Sequence, residues 1–178
     1  MKVNESNLKG CFELQLEKFS DIRGEFVKTF HSPTITSFGL NDNYCEEYFS
    51  LSYKNVIRGM HFQIPPHDHI KLVNCIFGSV MDVVVDLRMD SPTYGQHAIF
   101  QLTSEKASMV YIPKGMAHGY CVLTEKAIMT YKVSTIYSKK CDSGIRWDSI
   151  GVNWPIDNPI ISQRDSEFKS IQNYKSPF

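Results

Sequence analysis

Apolar and polar residues alternate along the chain in short stretches rich in Val, Ile, Tyr and Phe, which Gly, Pro, Asn or Ser repeatedly interrupts. Alternation with a period of two sends successive side chains to opposite faces, so the pattern predicts half-buried strands rather than helices. The runs that satisfy it are residues 11–16, 25–30, 48–53, 56–62, 70–77, 79–87, 97–102, 108–112, 119–123 and 127–134. Turn formers separate them, among them Ile64-Pro65-Pro66-His67-Asp68, Phe77-Gly78-Ser79, Ser91-Pro92-Thr93-Tyr94-Gly95 and Pro113-Lys114-Gly115. Many short strands with tight turns, and no strand–helix–strand alternation or internal repeat, predict an all-β fold of the cupin jelly-roll or small-barrel kind. From Asp142 onward turn formers cluster around Trp147 and Trp154, which predicts an irregular, partly helical segment packed on the barrel. With no Ser/Gly linker and no charge block, residues 1–178 read as one domain.

Composition narrows the function classes. The chain has 178 residues, 42% of them hydrophobic, enough for one sizeable core. Its 19 basic and 19 acidic residues balance, so no global field draws it to nucleic acid or an anionic membrane, and an anionic ligand needs a local cluster. Nothing approaches the roughly 20 apolar residues of a membrane span, and no apolar core follows the first lysine, so a soluble cytoplasmic protein is expected. Cys11, Cys45, Cys75, Cys121 and Cys141 are scattered and odd in number, which predicts reduced thiols rather than disulfides or a zinc knuckle.

Four segments could carry chemistry. Arg58-Gly59-Met60-His61-Phe62-Gln63, followed by Lys71, offers what proton abstraction beside a carbonyl needs: a base titrating near neutrality and cations for the enolate oxygen. Arg58 and His61 are three residues apart, however, and face opposite sides of a regular strand, so a shared site requires a bulge or bend at Gly59. Pro113-Lys114-Gly115-Met116-Ala117-His118 delivers a histidine to a strand start, as a metal ligand or a phosphate contact. A metal site wants an HxH-plus-Glu set, and His61-x-Gln63 is a poor one; His67-Asp68-His69 is an HxH, but in a loop. In the third segment Tyr131 shares the apolar face of its strand with Ala127, Met129 and Val133, while Tyr137 lies beyond the strand end, suited to stacking on a flat ring. The fourth, Ser162-Gln163-Arg164-Asp165, is either a helix start or the source of a carboxylate that orients His61.

In order and spacing these segments resemble the dTDP-4-dehydrorhamnose 3,5-epimerase family. The resemblance also includes Asp21-Ile22-Arg23-Gly24-Glu25-Phe26, Lys71-Leu72-Val73, the run from Gly78 to Arg88, and Gly144-Ile145-Arg146-Trp147-Asp148, and it spans 21–165. It implies a jelly-roll homodimer that needs no metal or organic cofactor and acts on a nucleoside-diphosphate 4-keto-6-deoxyhexose. It further implies His61 as base, Asp165 as its partner, Lys71 at the enolate oxygen and Tyr131 as proton donor on the opposite face. Arg23, Arg58, His118 and Arg164 match substrate contacts and Tyr137 the residue that stacks on the nucleobase; Lys28 and Gln63 are expected to contact the substrate as well. Lys28 stands where the family usually has a carboxylate, Glu46 and Tyr48 where it has Gln-x-Asn, and His69 where it often has Gln. These departures leave dTDP, CDP, GDP and UDP open as the nucleotide. Two other readings remain: a 3,4-ketoisomerase on the same fold, and a non-catalytic cupin binding a metal or small ligand through His61, His67, His69 and His118.

Overall fold

Most of the alternating runs are strands in the computed structural model, which describes residues 1–178. In chain order the strands are β1 Lys2–Glu5, β2 Phe12–Gln15, β3 Lys18–Asp21, β4 Gly24–Val27, β5 Glu46–Tyr53, β6 Ile57–Gln63, β7 Lys71–Phe77, β8 Ser79–Asp86, β9 His97–Thr103, β10 Ser108–Ile112, β11 Met116–Val122, β12 Lys126–Val133 and β13 Asp142–Gly144. Two short helices, α1 Ser32–Ser37 and α2 Gln163–Ser166, accompany them. A six-stranded sheet in the order β1-β2-β10-β7-β12-β5 faces a five-stranded sheet in the order β13-β6-β11-β8-β9, and β3–β4 forms a separate hairpin. Val73, Val84, Leu102, Val110 and Met129 belong to the core in which both sheets take part. This is the expected jelly roll.

Both outer faces are also partly covered. The C-terminal segment lays Ile145, Ile150, Trp154, Tyr174 and Phe178 against Met60, Phe62, Val83 and Val85 of the five-stranded sheet. The central strands β8 and β11 are therefore covered on both sides, which is why they read as nearly continuous apolar runs. On the six-stranded sheet, Ile35 of α1 and Leu40 pack on Leu14, Leu72 and Met109.

Three local expectations needed correction. The strand expected at 25–30 is extended only over Gly24–Val27, because Pro33 opens α1 in the first turn, where its missing N–H leaves no bond unmade. The strand expected at 119–123 begins at Met116, where β11 pairs with Asp86 of β8. Strands β1, β3 and β13 were not expected; at four, four and three residues they are too short to show a period.

The bend required at Gly59 is present. His118 of β11 pairs with His61 and Tyr120 with Arg58, so β6 advances three residues while β11 advances two, which is a bulge. Gly59 has φ +144°, and a Cβ there would lie 2.6 Å from the Gly119 Cα, so only glycine fits. The extra residue lets Arg58 and His61 both turn toward the six-stranded sheet, where Arg58 Nε donates to Ser52 Oγ at 2.8 Å.

Candidate active site

A cavity of roughly 300 Å3 opens at the mouth of the roll, and His61, Gln63, His69, Lys71, Tyr137 and Arg164 are in its wall. His61 Nε2 lies 2.8 Å from Asp165 Oδ1, while Asp165 Oδ2 accepts the Gly59 N–H at 3.0 Å. Ser162 caps α2 by accepting the Asp165 N–H at 3.1 Å, so the helix-start reading and the histidine-partner reading of this segment both hold. Burial opposes ionisation of Asp165, but its bond to His61, the His61 charge, the Gly59 N–H and Ser162 together hold its carboxyl below the ordinary value. With that carboxylate accepting from Nε2–H, the Nδ1 lone pair of His61 is left to take a proton. Burial lowers the His61 pKa, and Asp165 only partly restores it, so the ring is neutral at pH 7.

Lys71 is buried and donates from Nζ to the His61 carbonyl at 3.0 Å, which fixes a cation beside the base. Burial pulls its pKa down to about 8 against the opposing charges of Asp142 and Asp82. Arg164 pairs with Asp142 at 2.8 Å, and the Tyr137 hydroxyl donates to the same carboxylate at 3.3 Å. The Tyr137 N–H donates to Glu46 at 2.7 Å, which sets the ring's position at the rim.

Tyr131 stands one layer behind this wall. Tyr48 of the neighbouring strand stacks on it, with centroids 4.8 Å apart and planes at 17°, and it is Tyr48 that lines the cavity. The Tyr131 hydroxyl lies 3.4 Å from Ser50 Oγ, and burial, with Tyr120, Tyr48 and Asp82 adding to it, raises its pKa well above 10. Lys71 is therefore not what conditions this phenol. Deeper in, His118 Nε2 meets Asp82 Oδ2 at 2.7 Å, and the Tyr120 hydroxyl lies 2.9 Å from both Ser50 and Ser52.

Several candidate residues are placed differently from the simplest expectation. Gln63 directs its amide to backbone, from Nε2 to the His67 and Ile136 carbonyls and at Oε1 to the Ser138 N–H, so it braces two loops of the cavity wall. His67, Asp68 and His69 do not converge: Asp68 faces Lys114 at 3.4 Å and His69 faces Gln63. No cluster of three or more His, Cys, Asp or Glu side chains is disposed to hold a metal. Arg23, at the tip of the β3–β4 hairpin, pairs with Asp21, and Lys28 lies near Glu17 and Phe19; the chain alone brings neither to the cavity. Residues to which sequence reasoning gave no role are Asp142, Asp82, Ser50, Ser52 and Tyr120. The one signal for Asp82 was a carboxylate in the middle of a run of valines.

A family model described as dTDP-4-dehydrorhamnose 3,5-epimerase matches residues 5–173. The dTDP-4-dehydrorhamnose 3,5-epimerase of Shigella flexneri is 36% identical over 168 residues, 93% of each chain. The crystal structure of the Bacillus anthracis dTDP-4-dehydrorhamnose 3,5-epimerase with TDP and PPi bound matches at a TM-score of 0.93 and 34% identity, covering 96% of this chain and 99% of that one. The dTDP-6-deoxy-D-glucose-3,5-epimerase of Legionella pneumophila, in complex with dTDP-4-keto-L-rhamnose, matches at a TM-score of 0.93 and 29% identity, covering 98% and 94%. With a histidine–aspartate pair and a buried lysine at one cavity of a jelly roll, this chain belongs to the dTDP-4-dehydrorhamnose 3,5-epimerase family and is an epimerase.

Proposed function

We propose that the enzyme inverts C3 and C5 of a nucleoside-diphosphate 4-keto-6-deoxyhexose, with dTDP-4-dehydro-6-deoxyglucose the first candidate. The observation that carries this is the joining of base and cation: Asp165 holds His61 Nε2 at 2.8 Å, and Lys71 Nζ sits 3.0 Å from the carbonyl of His61. Nδ1 of His61 takes the proton from the carbon next to the ketone. The C–H electrons form a C–C double bond, and the C4 carbonyl becomes an enolate whose oxygen meets Lys71. Tyr131, on β12 in the sheet opposite His61, returns a proton to the other face of the carbon, and its raised pKa keeps it protonated until then. For that phenol to reach the ring, Tyr48, stacked on it in this structure, has to move aside. Arg58, His118 and Arg164 take the diphosphate and sugar hydroxyls, and Tyr137 takes the base.

Incubation of dTDP-, CDP-, GDP- and UDP-linked 4-keto-6-deoxyhexoses in deuterated water tests this. Deuterium at C3 and C5 with inverted product is expected. Deuterium at C3 alone narrows the reaction to one centre, a 3-keto product turns the assignment to a ketoisomerase, and no uptake with any nucleotide removes the proposal.

The working unit is proposed to be a homodimer of one-domain subunits in the cytoplasm. Strand β5 is a sheet edge eight residues long that exposes Phe49, Leu51 and Tyr53, and the β3–β4 hairpin exposes Phe19, Ile22 and Phe26 while pairing only with itself. Edges and apolar tips of this kind require cover. A partner's hairpin lying across β5 provides it and carries Arg23 and Lys28 toward the second cavity. Five free cysteines suit a reducing compartment, and no helix is long and apolar enough to cross a membrane. Light scattering at micromolar concentration is expected to give twice the chain mass; a single-chain mass contradicts the dimer.

A further inference from the structure

Three buried polar side-chain atoms have no partner in the protein: His69 Nε2, Asp82 Oδ1 and Ser108 Oγ. Of their residues only His69 is in the cavity wall that holds His61 and Lys71. The surrounding network fixes which ring nitrogen bears its proton. Gln63 Oε1 accepts the Ser138 N–H at 2.6 Å, and Gln63 Nε2 donates to the His67 and Ile136 carbonyls at 2.9 and 3.2 Å, so the amide cannot be turned over. The amide NH2 therefore faces His69 Nδ1, at 3.3 Å. A proton on Nδ1 would set donor against donor, so Nδ1 carries the lone pair. Burial first, then the charges of Lys71 and Lys114, lower the His69 pKa to about 3, which keeps the ring neutral and its single proton on Nε2. The result is an N–H buried in the cavity wall with no protein acceptor, a condition that destabilises the empty site until an acceptor arrives.

Resting on the epimerase reading of this cavity, we infer that His69 is a further substrate-contacting residue, whose Nε2–H donates to the C4 oxygen of the sugar alongside Lys71. The pairing is chemically apt. Lys71 supplies the charge and His69 a neutral donor, and a neutral imidazole can polarise a carbonyl without giving up a proton to it. The acceptor strengthens as the ketone becomes an enolate, so the bond is worth more in the transition state than with bound substrate. It acts on turnover rather than on affinity.

His69→Leu removes the donor and His69→Gln keeps an N–H at a similar reach. The Leu variant is expected to lose on the order of a hundredfold in kcat and in deuterium uptake, with KM within about threefold of wild type. The Gln variant is expected to recover most of the loss. Independently of any variant's folding, 15N spectra of the wild-type imidazoles should show His69 as the Nε2–H form from pH 5.5 to 8. Wild-type kcat in the Leu variant, equal losses in Leu and Gln, or an Nδ1–H or charged ring would each overturn the inference. Were wild type itself to take up no deuterium, the epimerase reading would fall and this inference with it.

Discussion

Asp165→Asn separates the orienting role of the carboxylate from its role in holding the fold, since the side chain keeps its shape and loses only its charge and half its acceptors. Asp165 accepts two bonds: from His61 at 2.8 Å through Oδ1 and from the Gly59 N–H at 3.0 Å through Oδ2. An asparagine has one oxygen to offer. The backbone N–H of Gly59 can only donate, whereas the imidazole can shift its proton, so the oxygen goes to Gly59 and the NH2 to His61. Nε2 then becomes an acceptor and the proton moves to Nδ1, the nitrogen that takes the sugar's proton. The wrong tautomer in a comparable histidine–aspartate pair costs about 10⁴ in kcat, and loss of a general base about 10²–10⁴, so kcat should fall by about 10³–10⁴ with KM little changed. Stability should fall by no more than about 1.5–3 kcal/mol, the worth of a hydrogen bond to a charged group. Stopped assays of product, deuterium uptake at C3 and a thermal melt of the same preparation measure all three. Uptake within about tenfold of wild type in a folded variant refutes the tautomer argument.

The buried lysine sets the alkaline limit: cationic Lys71 is needed at the enolate, so kcat should fall as pH rises through about 8, while stability moves the other way. The unfolded chain holds that proton up to about 10.4, so unfolding takes up a proton between the two values and the fold gains stability with rising pH in that window. An activity profile flat to pH 10 would contradict this. Tyr131→Phe should keep deuterium uptake into uninverted substrate while inversion is lost, and Tyr48→Phe should invert normally; the opposite outcome makes Tyr48, a phenol of the cavity wall, the donor. Gly59→Ala forces a Cβ to 2.6 Å from the Gly119 Cα at φ +144° and should cost about 2–5 kcal/mol in a denaturant melt. An unchanged midpoint would show that the bulge can relax.

What could be read in advance follows a physical rule. Strands β5 to β12 were legible because each runs five to eight residues against a buried face, by alternation where one side is covered and as apolar runs where both are, whereas β1, β3 and β13, at three or four residues, are held by the strands they pair with rather than marked by a pattern of their own. Arg58-x-x-His61 was legible as a problem of geometry, since a regular strand forbids the shared site and glycine is the residue that permits the bulge. Asp165 was visible as a motif and the resemblance paired it with His61, but across 104 residues no local pattern could choose between that role and a helix start, and the fold gives it both. Asp142 and Glu46 stayed hidden for a different reason. Each takes its role from a residue across a loop, Arg164 and Tyr137, and no local pattern announces a carboxylate that positions another side chain. Gln63 was read as a substrate contact as the end of the segment that carries His61, yet its amide is committed to three backbone groups.

The central claim, that His61 is the group that takes the sugar's proton, is tested most directly by the rate at which solvent deuterium enters C3 of the 4-keto sugar in wild type and in His61→Asn. The account predicts a loss of about 10²–10⁴ in that rate, with inverted product lost in parallel, because no other imidazole in the cavity wall is oriented by a carboxylate. Deuterium entering C3 at the wild-type rate in a folded His61→Asn enzyme would contradict it.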